Sequence, residues 1–263
     1  MIIDTHTHLH FDSFDEDREQ VVQRAIKNDI DAMITIGTDV ATSRQAINLA
    51  HKFAVIYAAV GIHPNDSNNV TDDDFDQIFE LAKEEKVVAI GEVGLDYYRM
   101  YSPKEIQFDT LRRQVRLALK LGLPLIIHNR EANEDILTVL NEENADEVGG
   151  VFHSFTGDIH FLDSVLAMNY LVSFTGPVTF RNANYNQLID RVPMSQLLLE
   201  TDSPFLAPDP FRGKRNEPAY VKYIAEKISQ IKGVSAEDLA SITSENAQTL
   251  FRLKDQWQLK LKL

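Results

Sequence analysis

Eight short apolar runs recur along this chain of 263 residues, with amphipathic stretches between them. The runs are rich in Ile, Val, Leu and Phe, as a parallel sheet that is buried on both faces requires. They span Met1 to Asp4, Ala32 to Ile36, Val55 to Gly61, Val87 to Gly91, Pro124 to Ile127, Gly150 to Phe152, Leu171 to Phe174 and Leu197 to Leu199. Eight parallel strands are the number that closes an α/β barrel. We therefore predict an α/β fold, a (β/α)8 TIM-type barrel, with residues 1–263 in a single domain.

The stretches between the runs have helical patterns. From Lys104 to Leu121 apolar residues recur at helical spacing, and Gly122 follows as a stop. We predict that Ser102 caps this helix and that Pro103 takes its first position.

A doubly wound open sheet is the alternative α/β architecture. It would carry a Gly-rich phosphate-binding turn after its first strand, whereas Asp4-Thr5-His6-Thr7-His8 occupies that place here. No Gly/Ser-rich or Pro-rich linker divides the sequence, and no internal repeat is visible. A single barrel is the simpler interpretation.

Composition narrows the class of protein. The formal net charge of −14 argues against a broad basic surface that coats nucleic acid, but a nuclease with phosphate contacts confined to one cleft stays possible. The absence of cysteine fits a reducing cytoplasm and leaves only nitrogen and oxygen as metal ligands. No apolar run approaches the ~18 residues of a membrane span, and no secretory signal is visible. We predict a cytoplasmic protein with no membrane contact and no obligate protein partner.

Six potential metal ligands stand at or just beyond the ends of predicted strands. They are His6, His8, Glu92, His128, His153 and Asp202. Any one of them alone would be explained most simply as a hydrogen-bonded polar residue. Because the carboxyl ends of barrel strands meet at one mouth, six together predict a metal centre. Side chains two apart on a strand face the same way, so His6 and His8 can hold one ion together.

The size of the ligand set indicates more than one ion. Four imidazoles and two carboxylates exceed the four ligands that complete a tetrahedral site. Two divalent cations that share a bridging carboxylate would use them all, and such pairs promote in-line displacement at phosphorus. Nitrogen and oxygen ligation suits Mg, Mn or Zn without choosing among them.

Ordered motifs accompany these residues along the whole chain. They are Ile3-Asp4-Thr5-His6-Thr7-His8-Leu9, Gly61-Ile62-His63-Pro64, Gly91-Glu92-Val93-Gly94-Leu95-Asp96-Tyr97, His128-Asn129-Arg130, His153-Ser154-Phe155-Thr156-Gly157, Phe174-Thr175-Gly176-Pro177, Glu200-Thr201-Asp202-Ser203-Pro204 and Arg212-Gly213-Lys214-Arg215-Asn216-Glu217-Pro218. In this order they resemble the TatD family of metal-dependent deoxyribonucleases, which are members of the wider amidohydrolase-like metal barrels.

The resemblance implies a division of the ligands between two cations. His6, His8, Glu92 and Asp202 would hold the first cation, and Glu92, His128 and His153 the second, with Glu92 as the bridge. The implied reaction is hydrolysis of DNA phosphodiester bonds by a metal-activated water, which Asp202 orients or deprotonates. His10 stands where the family often carries Asp, and we leave it outside the ligand set.

The resemblance also implies catalytic and phosphate-binding roles. His63 would hold or protonate the scissile phosphate, although a polar residue tucked under Pro64 is the plainer explanation. Cations for the DNA phosphates are expected beyond the last strand and at two other positions. They are Arg212, Lys214, Arg215, Arg181 and Arg130, of which Arg181 stands where the family commonly carries Lys. A solvated charge run is the alternative explanation of the basic cluster.

Several functions stay open at this point. Tyr97, Tyr98 and Tyr101 could stack on bases of single strands or frayed ends, from which nucleotides would be trimmed exonucleolytically, or could pack in the core. A hydrolase of a small-molecule amide, lactone or phosphoester is the alternative enzyme. Such barrels often bridge their metals with a carboxylated lysine, and Glu92 appears in that place. A metal-dependent scaffold or partner-binding protein is the third possibility.

Overall fold

The computed structural model describes residues 1–253, and eight parallel strands form its centre. The strands are β1 (Ile2–Thr7), β2 (Ile30–Ile36), β3 (Ile56–Val60), β4 (Val87–Asp96), β5 (Leu125–Arg130), β6 (Gly150–Phe152), β7 (Leu171–Phe174) and β8 (Leu197–Leu199). Each strand pairs with the next one along the chain, from β1 through β8. This order, with a helix after each strand, confirms the predicted single-domain TIM-type barrel.

The ring closes between β1 and the segment that follows β8. The amide of Asp202 donates to the carbonyl of His6 at 2.9 Å, and the amide of His8 donates to the carbonyl of Ser203 at 2.7 Å. The hydroxyl of Thr5 also donates to the carbonyl of Leu199 at 3.0 Å. These bonds join the first and last strands just where the candidate ligands begin.

Helices surround the sheet and bury its outer face. Within residues 1–253 the α-helices are α1 (Arg18–Lys27), α2 (Val40–Lys52), α3 (Asp72–Leu81), α4 (Lys104–Leu121), α5 (Asn133–Glu142), α6 (Ile159–Ala167), α7 (Asn186–Arg191), α8 (Val221–Lys232) and α9 (Ala236–Leu250). None of the helices in this described part is long and apolar enough to span a membrane.

The helix predicted from Lys104 to Leu121 is confirmed as α4. Gly122 ends it in the left-handed conformation, with φ of 66°. The predicted start is wrong by one position. Pro103 is the capping residue rather than the first helical one, and the hydroxyl of Ser102 donates instead to the carbonyl of Asn65. The backbone of Pro103 is extended, with ψ of 149°, which explains why the helix begins only at Lys104.

The barrel interior has its own apolar core, which α9 covers from below. The buried strand residues of this core are Ile3, Ala32, Ile34, Ile36, Tyr57, Ala59, Val88, Ala89, Ile126, Val151 and Leu198. Ala247, Phe251 and Leu253 belong to the same cluster. Ser244 donates a hydrogen bond to the carbonyl of Met1, so α9 lies at the end where β1 begins. The amino-terminal end of the barrel is therefore plugged, and the opposite mouth is left for a site.

Candidate metal centre

All six predicted ligands converge at the carboxyl-terminal mouth of the barrel. Five of them line a cavity of about 580 Å³, and His63 lines it as well. His6 is fully buried beside the others. Three overlapping groups have ligand atoms that all lie within 4.8 Å of one another. The groups are His6 with His153 and Asp202, His6 with His8 and Glu92, and His63 with Glu92 and His128.

A β-bulge in β1 turns His6, and His8 directly after the strand, into the mouth. Ile3 packs inside the barrel, so regular alternation would point His6 and His8 outward. Between Asp4 and Thr7, however, β1 has one residue more than its partner β2. The extra residue reverses the alternation, which brings both imidazoles inside.

A second bulge does the same for Glu92 in β4. Between Ile90 and Val93 this strand has one residue more than its partner β5. Gly91 stands at the bulge, where a Cβ would lie 2.6 Å from the side chain of Ile126. Glycine is therefore needed for β4 and β5 to approach so closely just before the ligand.

In the first cluster, two imidazole nitrogens lie close to each other and to two carboxylate oxygens. The two Nε2 atoms of His6 and His8 lie 3.3 Å apart. Glu92 Oε2 lies 3.6 Å from His6 Nε2 and 3.8 Å from His8 Nε2. Asp202 Oδ1 lies 3.8 and 3.6 Å from the same two nitrogens. Ligands ~2.1 Å from a tetrahedral ion are ~3.4 Å apart, so these separations fit a divalent cation.

The second cluster faces the other oxygen of the same carboxylate. Glu92 Oε1 lies 2.9 Å from His128 Nδ1 and 2.8 Å from His153 Nε2. His63 Nε2 lies 3.6 Å from this oxygen. The two oxygens of Glu92 thus face two different sets of histidines.

For His8 and His128, a hydrogen bond on the far side of the ring sets which nitrogen is free to bind a cation. His8 Nδ1 lies 2.9 Å from the carbonyl of Ile36, so it carries the proton and Nε2 is left with a lone pair. His128 Nε2 lies 3.2 Å from Asp96 Oδ2, which leaves its Nδ1 free in the same way. Carboxylate and carbonyl partners of this kind are what metal-ligating histidines require.

His63 has the opposite arrangement. Its Nδ1 accepts a hydrogen bond from the backbone amide of Asn65 at 3.1 Å. In the neutral ring Nε2 therefore carries the proton and faces Glu92 Oε1 as a donor. Burial lowers the pKa of His63 to about 3, so the ring is neutral at physiological pH. His63 is consequently suited to donate a hydrogen bond rather than to ligate.

The electrostatics of the centre favour ionised carboxylates. Burial opposes the charge on Glu92, but the nearby imidazoles, led by His153, hold its pKa well below the ordinary value. Burial likewise opposes the charge on Asp202, whose pKa is lowered by His8 and His6. Burial disfavours the charged form of His153, yet Glu92 and Glu200 raise its pKa well above normal. Protons and cations therefore compete for these nitrogens.

Two carboxylates beside the ligands were missed by the sequence analysis. Asp96 accepts hydrogen bonds from the amides of Tyr98 and Arg99 at 3.0 and 2.8 Å while it contacts His128. Glu200 is fully buried, with Oε1 3.7 Å from His153 Nδ1. Both residues belong to the ordered motifs of the sequence. An acidic residue close to a predicted strand end is the sequence feature that could have indicated them.

The predicted phosphate-binding residues are only partly brought to the cavity. Arg130 lines it, and so does Arg99, which the sequence analysis did not single out. Arg215 donates instead to Asp17 at 2.7 Å and to the carbonyl of Ser13 at 2.6 Å. The other three predicted cations, Arg181, Arg212 and Lys214, are exposed and are not among the lining residues.

Of the three tyrosines considered in the sequence, two line the mouth, whereas Tyr97 is partly buried and packs against the core. Tyr98 and Tyr101 line the cavity and are exposed. Tyr97 does not line it, and its hydroxyl donates to Asp135 at 2.7 Å. His10 is buried outside the three clusters, where its Nδ1 lies 3.3 Å from the hydroxyl of Thr35.

Fold and site together define a class of protein. An eight-stranded barrel with histidine–carboxylate clusters at its carboxyl-terminal mouth is typical of metal-dependent hydrolases.

Comparison with known proteins narrows the class to a family. The family model described as TatD related DNase matches residues 3–252. YabD of Bacillus subtilis, described as an uncharacterized metal-dependent hydrolase, is 48% identical over 254 residues, which cover 96% of this chain and 100% of YabD. The 3'-5' ssDNA/RNA exonuclease TatD of Salmonella typhimurium is 33% identical over 258 residues, covering 96% and 99% of the two chains. The chain belongs to the TatD family of metal-dependent hydrolases.

Solved structures agree with this assignment. The crystal structure of YjjV, a TatD homolog from Escherichia coli, superposes with a TM-score of 0.89 at 28% identity. The match covers 95% of this chain and 98% of that one. The barrel described above is thus the fold of the family over nearly its whole length.

Proposed function

We propose that this protein is a divalent-metal-dependent deoxyribonuclease that trims nucleotides from single-stranded or frayed DNA ends. The observation that carries the proposal is the pair of Glu92 oxygens, each facing its own set of histidines. Two cations that share a carboxylate suit in-line displacement at a phosphodiester. The exonuclease name of the Salmonella relative supports the choice of nucleic acid as substrate. The predicted cytoplasmic location stays a prediction.

The proposed ligands are those whose free nitrogens or oxygens face one another. They are His6, His8, Glu92 and Asp202 for one cation, and Glu92, His128 and His153 for the other. When bound, two divalent cations lower the pKa of a water molecule and offset the negative charge that grows on the phosphoryl oxygens.

Asp202 and His63 act directly on the reacting groups in this proposal. Asp202 is ionised and lines the cavity, so its carboxylate can orient the attacking water and accept its proton. The protonated Nε2 of His63 can donate to an oxygen of the scissile phosphate. The two residues thereby hold opposite partners of the displacement, the nucleophile and the phosphoryl group.

Phosphate contacts near the cations are assigned to Arg130 and Arg99. Both line the cavity, and their guanidinium groups match phosphate oxygens. Arg212, Lys214 and Arg181 stay predicted contacts for a strand that extends beyond the mouth. Arg215 is less suited to that role because Asp17 already neutralises it.

The direct test is hydrolysis of single-stranded DNA labelled at either end, with Mg, Mn or Zn supplied in turn. We expect metal-dependent shortening that a chelator and Glu92→Gln both abolish. Glu147→Gln is the matched control, because Glu147 is an exposed glutamate outside the cavity. Absence of cleavage by protein that is shown to hold two ions would overturn the proposal. Hydrolysis of a small-molecule phosphoester, lactone or amide would then be the alternative function.

A further inference from the structure

A large aromatic side chain stands exposed beside this charged centre. Phe205 follows Asp202 by three residues, lines the cavity and is 50% exposed. Its neighbour Leu206, which also lines the cavity, is 42% exposed. Exposed apolar groups at the rim of a polar site are typical of ligand contacts rather than of folding.

The backbone that carries Phe205 is held firmly. Its amide donates to the carbonyl of Asp202 at 2.9 Å. The fully buried side chain of Asn216 donates to the carbonyls of Thr201 and Phe205, at 2.9 and 2.6 Å. A Cβ on Gly176 would lie 1.9 Å from the carbonyl oxygen of Leu206, so this segment is also tightly packed. The ring is thus presented from a fixed position.

Phe205 lies next to the first ligand cluster. Its ring centroid is 6.1 Å from that of His8 and 6.0 Å from that of Phe11, which itself stacks on His8 at 4.8 Å. Both contacts of Phe205 are edge-on, with interplanar angles of 65° and 74°. Neither neighbour stacks face to face on Phe205, and half of the side chain is exposed, so ring surface is available for stacking.

The overall charge makes such a contact necessary for a nucleic-acid substrate. With a net charge of −14 the protein as a whole repels polyanions, so affinity has to come from local contacts. Arg99 and Arg130 line the same cavity as Phe205 and can bind phosphate, and a flat aromatic face binds any base.

We infer that Phe205, with Phe11 beside it, is a stacking platform for the base of a nucleotide that flanks the scissile phosphodiester. This inference rests on the proposed nuclease function. The partner is a single-stranded end, because a base in a duplex has both faces covered by its neighbours.

The test compares Phe205→Leu with the wild-type protein loaded with cations. Leucine keeps the apolar volume and removes the flat ring, and Phe205→Trp is the conservative variant. The substrates are end-labelled oligonucleotides with natural bases, or with one abasic residue at the terminal or penultimate position. Ile26→Ala is the control, since Ile26 is comparably exposed outside the cavity. Metal content and circular dichroism establish that each variant is folded and loaded.

We expect Phe205→Leu to lower kcat/KM on the natural strand by about 5- to 100-fold, the usual effect of losing one stacked base. With the wild-type protein, an abasic residue at one of the two positions should lower kcat/KM by a similar factor. The same abasic residue should not lower kcat/KM of Phe205→Leu any further. Phe205→Trp should cleave the natural strand as the wild type does. The inference is overturned if wild type and Phe205→Leu cleave equally well, or if the losses from the substitution and from the abasic residue multiply. Either result leaves the proposed nuclease function intact. If the wild type itself cleaves no natural strand, the proposed function has failed instead.

Discussion

The roles of His8, His128 and His63 differ because of the hydrogen bond that each makes through its outer nitrogen. His8 and His128 donate through that nitrogen to a carbonyl and a carboxylate, so an inner lone pair is available for a cation. His63 accepts a hydrogen bond from a backbone amide on its outer nitrogen and presents an N–H inward. Rings of the same chemistry, a few ångströms apart, are thereby divided between ligand and donor.

This division predicts different losses for two alanine variants. His63→Ala is expected to bind as many cations as the wild type while its kcat on single-stranded DNA falls by about 10²- to 10⁴-fold, the usual contribution of a proton-transferring group. His128→Ala is expected to lose one cation, because Glu92 Oε1 and His153 alone remain at that position. Elemental analysis of dialysed protein, together with the cleavage assay, checks both. Loss of a cation from His63→Ala would contradict the assignment.

At the scale of secondary-structure elements, apolar runs predicted all eight strands but not all of their bounds. β6, β7 and β8 have the predicted bounds. In contrast, β1, β4 and β5 continue past the predicted ends, through His6, Glu92 and His128 respectively. Polar ligands look like the start of a loop in a sequence. In the fold His6, Glu92 and His128 extend their strands, because buried polar groups there find partners across the mouth. In contrast, β6 and β8 end before His153 and Asp202.

Other features of the site depend on contacts that no local pattern contains. The two bulges that orient His6, His8 and Glu92 are defined only by the neighbouring strands. The basic cluster near Arg215 is predicted to meet phosphate from its place beyond the last strand, since a sequence does not show which acidic residue lies nearby in the fold. In the fold that guanidinium pairs with Asp17, which lies 198 residues away along the chain.

The same ion pair ties α1 to the loop after β8 and predicts a pH-dependent stability. Hydrogen bonds from Arg215, and then from Arg24, lower the pKa of Asp17 from 3.8 to about 2. A carboxyl whose pKa is lower in the folded state stabilises the fold at pH values above its pKa in the unfolded state. This contribution to the free energy of unfolding is lost as the pH falls from 3.8 toward 2. Because the pair is partly exposed, we expect Asp17→Asn to cost about 0.5–1 kcal/mol at pH 7.

Urea unfolding of the wild type and Asp17→Asn at pH 7 and at lower pH measures this contribution. The difference between the two proteins should shrink as the pH falls below 4. Asp76→Asn, on the exposed face of α3, is the control and should change little at either pH. If the difference in free energy of unfolding between the two proteins grows on acidification, the predicted direction of the pH dependence is wrong.

At the scale of the whole molecule, the two ends of the barrel serve different purposes. The mouth gathers ionisable side chains whose burial costs stability. The opposite end is filled by apolar residues of β-strands and by Phe251, which is only 2% exposed. Separation of this kind lets the site carry buried charge while the far core supplies the compensating hydrophobic burial.

Phe251→Ala is therefore expected to affect stability far more than catalysis. Removal of a buried phenylalanine typically costs about 3–5 kcal/mol, part of it for the cavity that is left. The midpoint of urea unfolding should fall accordingly. At a temperature where the variant is folded, its kcat and bound metal should match the wild type. A large loss of activity in folded, metal-loaded Phe251→Ala would mean that the two ends are coupled.

The plug formed by α9 also restricts how a polynucleotide can move. With the barrel axis blocked by Ala247, Phe251 and Leu253, a strand cannot thread through the molecule. For the proposed nuclease, the released nucleotide would therefore have to leave by the same opening through which the strand enters. The mouth of the barrel would be both the entrance and the exit of the site.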